Sequence, residues 1–242
     1  MQQSADRGLF DEYISNCPYK PFWKRIIPDN LRKRERGAGD TPCMRGGHQM
    51  CIDVQAGRIY LLGGGDGTRD IADFWAYDIA LNRWILICPD TRMDGGPCPR
   101  SCHKITFDPA LQQIYVLGRY VDQESRANTN LDSDFYRYDV ARGTWFKISG
   151  NTAADGGPEL IYDHQMCVDP TTHVMYVFGG RIVHPDTNNH TYSGLYAYHI
   201  PMNRTDSSEG PLKSRIGHSM LFNPKERQLY IFAGQRHKDY LR

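Results

Sequence analysis

The chain has 242 residues, room for one large all-β unit or two small domains, and its 23 glycines with 12% aromatic content suit short strands joined by tight turns. Twenty-nine basic side chains against 28 acidic ones leave a formal net charge of +1, without the basic excess that phosphate contacts demand of a nucleic-acid binder. No apolar run approaches the roughly 20 residues of a transmembrane helix, and Met1–Phe10 lacks the apolar stretch of a secretion signal. The expectation is a cytoplasmic chain that neither inserts into a membrane nor binds nucleic acid.

In chain order, Leu9, Phe10, Tyr13 and Ile14 fall on one helical face, so residues 1–21 read as a short helical segment and linker. Phe22 to Ile27, with Trp23, reads as the last strand of a preceding repeat. The basic run Leu31–Arg36 (LRKRER) reads as a solvated linker, with a nuclear-localisation patch as the alternative.

From there the sequence repeats. His48, His103, His164 and His218 each open a similar stretch, with Asp53, Asp108, Asp169 or Asn223 five positions on and Tyr60, Tyr115, Tyr176 or Tyr230 twelve positions on. The histidines are 55, 61 and 54 residues apart, near a repeat period of about 50. A second signature follows: Tyr77 and Trp84, then Tyr138 and Trp145, are seven apart, whereas the third unit has Thr205 where Trp would fall. Each unit predicts four strands: the His strand, the strand ending in glycines, the Tyr-x-Tyr strand and the Trp strand. The Asp or Asn sits in the first hairpin turn, where its side chain favours reversal. Four-stranded antiparallel units repeated radially make a β-propeller.

Gly63-Gly64 and Gly179-Gly180 after an apolar strand, followed by the spaced Tyr and Trp, resemble the kelch repeat; Gly118-Arg119 and Ala233-Gly234 keep one glycine of the pair. The expected architecture is a kelch-type β-propeller over residues 22–242, with units beginning near 45, 100, 161 and 215. It amounts to about three and a half blades, an incomplete ring that a longer protein or another chain would close. The segments RGGHQM, YLLGGGDGTRDIADFWAYD, NTAADGGP, DHQMC, FGGRI and SRIGH resemble the kelch region of muskelin-type proteins, from about Leu9 onward. That resemblance implies an adaptor or substrate-recruiting subunit of a CTLH-type (GID-like) E3 ubiquitin ligase, with ligase subunits and client proteins as partners and roles in cell spreading and receptor trafficking. Self-association through exposed blade edges is a further expectation.

For a binding face, the loops entering each blade and those following the glycines are the candidates. Arg45, Arg100 and Arg215 stand three before the repeat histidines; the third unit has Ile161 there. Arg119, Tyr120 and Arg181 follow the glycines. Planar guanidiniums suit carboxylate recognition, so these six residues form the expected partner site, against the alternative that each Arg pairs with a neighbouring Asp. The loops Tyr120–Asp134 and Ile182–Ser193 are long enough to hang over the same face. No enzyme motif is present, seven irregularly spaced cysteines without a C-x-x-C pair suggest reduced thiols, and the repeat histidines read as structural, so neither catalysis nor a cofactor nor a metal is expected. The alternatives are a galactose-oxidase-like propeller enzyme and a purely oligomerising cytoskeletal scaffold.

Overall fold

Hairpins form where Asx side chains can bend the backbone back. In a computed structural model that describes residues 23–29, 41–188, 190–208 and 212–241, the Asp53 carboxylate accepts from the N–H groups of Gln55 and Ala56 at 3.0 and 3.1 Å, and Asp108 accepts from Ala110 and Leu111 at 2.9 and 3.1 Å. Asp169 and Asn223 make the same turn two residues on. Each turn joins the first two strands of a blade, and Asp78 and Asp139 bend the second hairpin alike.

The first blade is β1 (Gln49–Asp53), β2 (Arg58–Leu62), β3 (Phe74–Asp78) and β4 (Arg83–Cys88), antiparallel in that order. The second is β5 (Lys104–Asp108), β6 (Gln113–Leu117), β7 (Phe135–Asp139) and β8 (Thr144–Ser149). In the third, β9 (Ile161–Tyr162) precedes the four-stranded sheet of β10 (Gln165–Asp169), β11 (Val174–Phe178), β13 (Leu195–His199) and β14 (Arg204–Ser208). Strand β12 (Arg181–Ile182) turns back to pair with β9. The fourth unit holds β15 (Ser219–Asn223) paired with β16 (Gln228–Phe232), then a small hairpin of β17 (Gln235–Arg236) and β18 (Asp239–Tyr240). Three complete blades and a half match the sequence expectation for the all-β propeller. The helical reading of residues 1–21 and the LRKRER run lie outside the described residues. Residues 23–28 form no strand, contrary to expectation: the backbone there is held instead to the β3–β4 turn, where Asn82 donates to the Ile27 carbonyl at 3.0 Å.

The first strands of successive blades lie side by side, β5 against both β1 and β10, and β10 against β15. Between the first two blades, Phe74 meets Tyr138 and Trp145 edge-on at 4.9 and 5.4 Å. Between the second and third, Tyr115, Leu117 and Phe135 pack on Ile161, Met175 and Val177.

The glycine position and the next blade's histidine form one joint. The N–H groups of Gly64, Arg119 and Gly180 donate to the carbonyls of Arg100, Ile161 and Arg215 at 2.9, 3.0 and 2.9 Å. One residue earlier, Gly118 (φ +79°) and Gly179 (φ +73°) lie against those carbonyls and under the rings of His164 and His218. A Cβ at either would stand 2.7 Å from the ring's Cε1. Only glycine combines that φ with that approach.

His103 and His164 are fully buried, and neither ring nitrogen finds a partner among the described residues. Burial holds the His103 imidazole well below its ordinary pKa, with Arg100 adding to the effect; it takes His164 to about 3 and His218 to about 4. These groups stay neutral in the fold where the unfolded chain is protonated, so stability rises with pH from about 4 to the ordinary value near 6.5. Two outcomes follow. Acidification from pH 7 to pH 5 lowers the urea midpoint, at about 1.4 kcal/mol per pH unit below 6.5 for each histidine that stays neutral, and His164→Gln flattens that slope. A slope unchanged in the variant would remove His164 from the account. Gly179→Ala costs about 2 kcal/mol or more in the same assay, because a methyl group must displace a backbone carbonyl or an imidazole.

Candidate partner-binding face

The repeated arginines are clamps, not free forks. Arg45 has a side chain only 3% exposed; it donates to both carboxylate oxygens of Asp73 at 2.5 and 2.8 Å and to the Gly63 carbonyl at 3.1 Å. Arg100, 1% exposed, repeats the pattern with Asp134 at 3.0 Å and the Gly118 carbonyl at 3.2 Å. Each ties the segment entering its blade to the end of the second strand and the start of the third. Burial opposes charge on Arg100, yet Asp134 and the Cys98 sulfur outweigh it and raise the pKa. Arg215 is also buried and donates to the carbonyls of Lys213 and Ala233 at 3.0 Å each. The expectation that these three guanidiniums surround a channel mouth open to a partner is therefore corrected: all three are drawn into their own units, each donating to main-chain carbonyls there.

A sequence signal for this existed. The residue before the third strand is Asp73 and Asp134 in the blades that carry Arg45 and Arg100; it is Gly194 in the blade whose corresponding residue is Ile161. Arginine and carboxylate come and go together.

The other three expected residues do meet on one face. Tyr120 packs edge-on against Tyr162 at 5.1 Å, and Tyr162 is the β9 residue opposite Arg181 in β12. Arg119 donates to the Asn130 carbonyl at 2.6 Å, which anchors the 120–134 loop. Residues that sequence reasoning missed complete the surface. The Arg126 guanidinium stands 5.7 Å above the Tyr120 ring, and those of Arg181 and Arg236 stand 5.8 and 4.7 Å from the Tyr192 ring. Burial works against charge on Arg181, and hydrogen bonding to Tyr192 and Tyr162 more than compensates, raising its pKa. The result is a ledge of tyrosine rings and guanidiniums running from the second blade toward the fourth, in which Arg181 and Arg236 are half-buried while Arg126 is buried, its Nε donating to the Val121 carbonyl at 2.9 Å. Tyr162, Tyr192 and Arg236 fall outside the aligned repeat positions, so spacing could not single them out.

Beside the ledge, between the loops of the first two blades, lies a groove of about 940 Å³ lined by Arg69, Asp66, Asp70, Arg119, Tyr120 and Asp122 among others. Asp66 is committed to its own loop, accepting from Thr68 and Arg69, which holds its pKa near 2; burial raises that of Asp70. The groove is polar and carries both signs of charge. Among the described residues, no three His, Cys, Asp or Glu side chains converge in a way that could hold a metal ion. The repeat histidines are instead spread over successive blade joints.

The clamp geometry has a measurable consequence. Arg100→Ala leaves the Asp134 carboxylate and the Gly118 carbonyl without their buried donor, and costs about 3–5 kcal/mol of stability by urea unfolding. Arg69→Ala, at a guanidinium 80% exposed, changes it by less than about 0.5 kcal/mol. Equal effects would contradict the clamp.

Comparison with known proteins agrees with the architecture. Mei4-dependent protein 6 of Schizosaccharomyces pombe is 35% identical over 204 residues, covering 79% of this chain and 28% of that protein. Rab9 effector protein with kelch motifs of Bos taurus is 30% identical over 97 residues, covering 37% of this chain and 24% of that one. The chain thus spans about a quarter of the length of these relatives. Among solved structures, YjhT superposes with a TM-score of 0.60 at 15% identity, over 81% of this chain and 60% of its own, a likeness of fold alone. The family model described as Attractin/LZTR1 beta-propeller matches residues 28–241, and the chain belongs to that family.

Proposed function

We propose that this propeller is a non-catalytic protein-interaction module that recruits partners on the face carrying the Tyr120–Tyr162–Tyr192 ledge. The observation that carries this reading is the row of half-buried Tyr120, Tyr162 and Tyr192 rings, with the Arg181 and Arg236 guanidiniums beside Tyr192, on segments outside the four-stranded blade sheets. Tyrosine and arginine dominate binding hot spots because they bring large contact area and planar hydrogen bonding at low entropic cost. The neighbouring groove adds polar contacts of both signs, as suits the rim of a protein interface rather than a site for a reaction. A relative named as an effector of another protein, and carrying kelch motifs, supports the same class of activity.

More specifically, the likeness of the repeat segments to muskelin-type proteins supports an adaptor or client-recruiting role in a CTLH-type E3 ubiquitin ligase working inside the cell. Six described cysteines that remain free thiols suit a reducing compartment.

The test is a pull-down from cell extract with the full-length protein, comparing wild type with an Arg181→Ala/Tyr192→Ala variant whose urea midpoint is checked first. Ligase subunits binding both proteins, with a set of other proteins lost at least tenfold from the variant, would support client binding on the ledge. Identical profiles would overturn the ledge as the binding surface. Absence of every ligase subunit from both would overturn the adaptor role while leaving the interaction surface to be judged by the remaining proteins.

A further inference from the structure

The two complete blade-to-blade interfaces are built from the same positions, and the second holds smaller side chains at two of them: Val168 stands where the first has Phe107, and Thr205 where it has Trp145. In the first, Trp145 of β8 stands opposite Tyr138 in the strand register, with ring centroids 4.9 Å apart, and is buried between the second blade and Phe74 of the first. Gly96, in the loop leaving the first blade, lies flat against its indole: a Cβ there would come within 2.9 Å of the ring. In the second interface the register sets Thr205 opposite Tyr198, and Tyr198 meets Phe135 edge-on at 5.1 Å just as Tyr138 meets Phe74. Tyr115, Leu117, Phe135, Val177, Tyr196 and Tyr198 repeat Tyr60, Leu62, Phe74, Val116, Tyr136 and Tyr138, but the indole is gone.

A cavity of about 360 Å³ remains, walled by Phe135, Ile148, Met175, Tyr196 and Tyr198, with Thr205 at its edge. Tyr136 and Tyr138 are buried in the Trp-filled interface, whereas Tyr196 and Tyr198 are only half-buried. For Gly157, which corresponds to Gly96, the three atoms nearest an added Cβ all belong to Thr152, where for Gly96 two of the three belong to the Trp145 indole. At the rim, the exposed Asp155 carboxylate accepts from the Ser149 hydroxyl at 2.5 Å. Pockets of this size take small ligands when their walls are apolar and a few polar groups fix orientation.

We propose that this cleft between the second and third blades is a binding site for a small planar aromatic molecule carrying an N–H donor, seated where its own repeat places an indole in the preceding interface. Phe135 and Tyr198 supply the ring edges and faces that Phe74 and Tyr138 supply to Trp145, which favours edge-to-face aromatic packing. Asp155 and Thr205 supply acceptors for the N–H. The site is separate from the ledge and does not depend on the proposed recruiting role.

Indole is the probe. Titrated against the full-length protein, it should raise the thermal midpoint in a concentration-dependent way and perturb the NMR methyl signals of Ile148 and Met175. Thr205→Trp should fill the space covalently: its midpoint should rise by about 2–4 °C without ligand, and its response to indole should vanish. If that variant does not fold, Thr205→Phe gives the same reading with a smaller ring. No indole response in the wild type up to solubility, or a response of equal size in the filled variant, would overturn the proposal.

Discussion

The structure depends on a single joint, in which a backbone N–H at the glycine position donates to a carbonyl of the next blade and a buried neutral imidazole covers the glycine before it. Residue 100 shows how much passes through it. The Arg100 carbonyl accepts from Gly64 of the first blade, while the Arg100 guanidinium reaches the Gly118 carbonyl and Asp134 within the second. Gly118 then lies under His164 and forms the next joint. One residue therefore registers its blade against its neighbour through the main chain and closes its own blade through the side chain. A neutral ring over the glycine needs no counter-ion in a place where none could be hydrated, at the cost of sensitivity to acid.

This arrangement also decides where recognition can occur. Side chains that serve the joint are buried inside the blades, out of reach of a partner. Residues just past the glycine position are freed from the ladder, and there the chain places Tyr120, Arg181 and, through β9, Tyr162. The ledge is assembled from segments of different blades, its rings held by edge contacts, by guanidiniums and by the short β9–β12 pairing outside the blade sheets.

The blade pattern was legible because hairpin turns, inward-facing apolar positions and joint glycines impose fixed spacings that recur in every unit. The arginines were legible as repeats but misread as ligand-binding, since recurrence at Arg45, Arg100 and Arg215 reports a need of the repeat itself. The covarying Asp73, Asp134 and Gly194 carried the distinction. Other features left no readable mark. The residue before each histidine is left-handed in all four units, yet it is Gly47, Cys102, Asp163 and Gly217, so two of the four hide the constraint behind side chains that merely tolerate it. The Tyr120–Tyr162 contact joins separate blades and follows no spacing.

Thr205 illustrates the opposite case, a departure plain in the sequence whose meaning needed the packing. Loss of Trp left open whether the outer strand would form, yet β14 pairs along its whole length with β13. Strand pairing there does not need the indole, because the backbone ladder and the Tyr198–Asn203 hydrogen bond at 2.8 Å hold the hairpin, as Tyr77 and Asn82 do in the first blade. What the indole supplies is contact between blades, and a void forfeits those dispersion contacts outright. The third blade is thus joined to the second through its inner strands and left open toward its outer ones. An aromatic-walled opening in a repeat that elsewhere fills the same space with Trp145 has a shape already matched to a planar ring, and an occupant would recover the contacts that the threonine gave up.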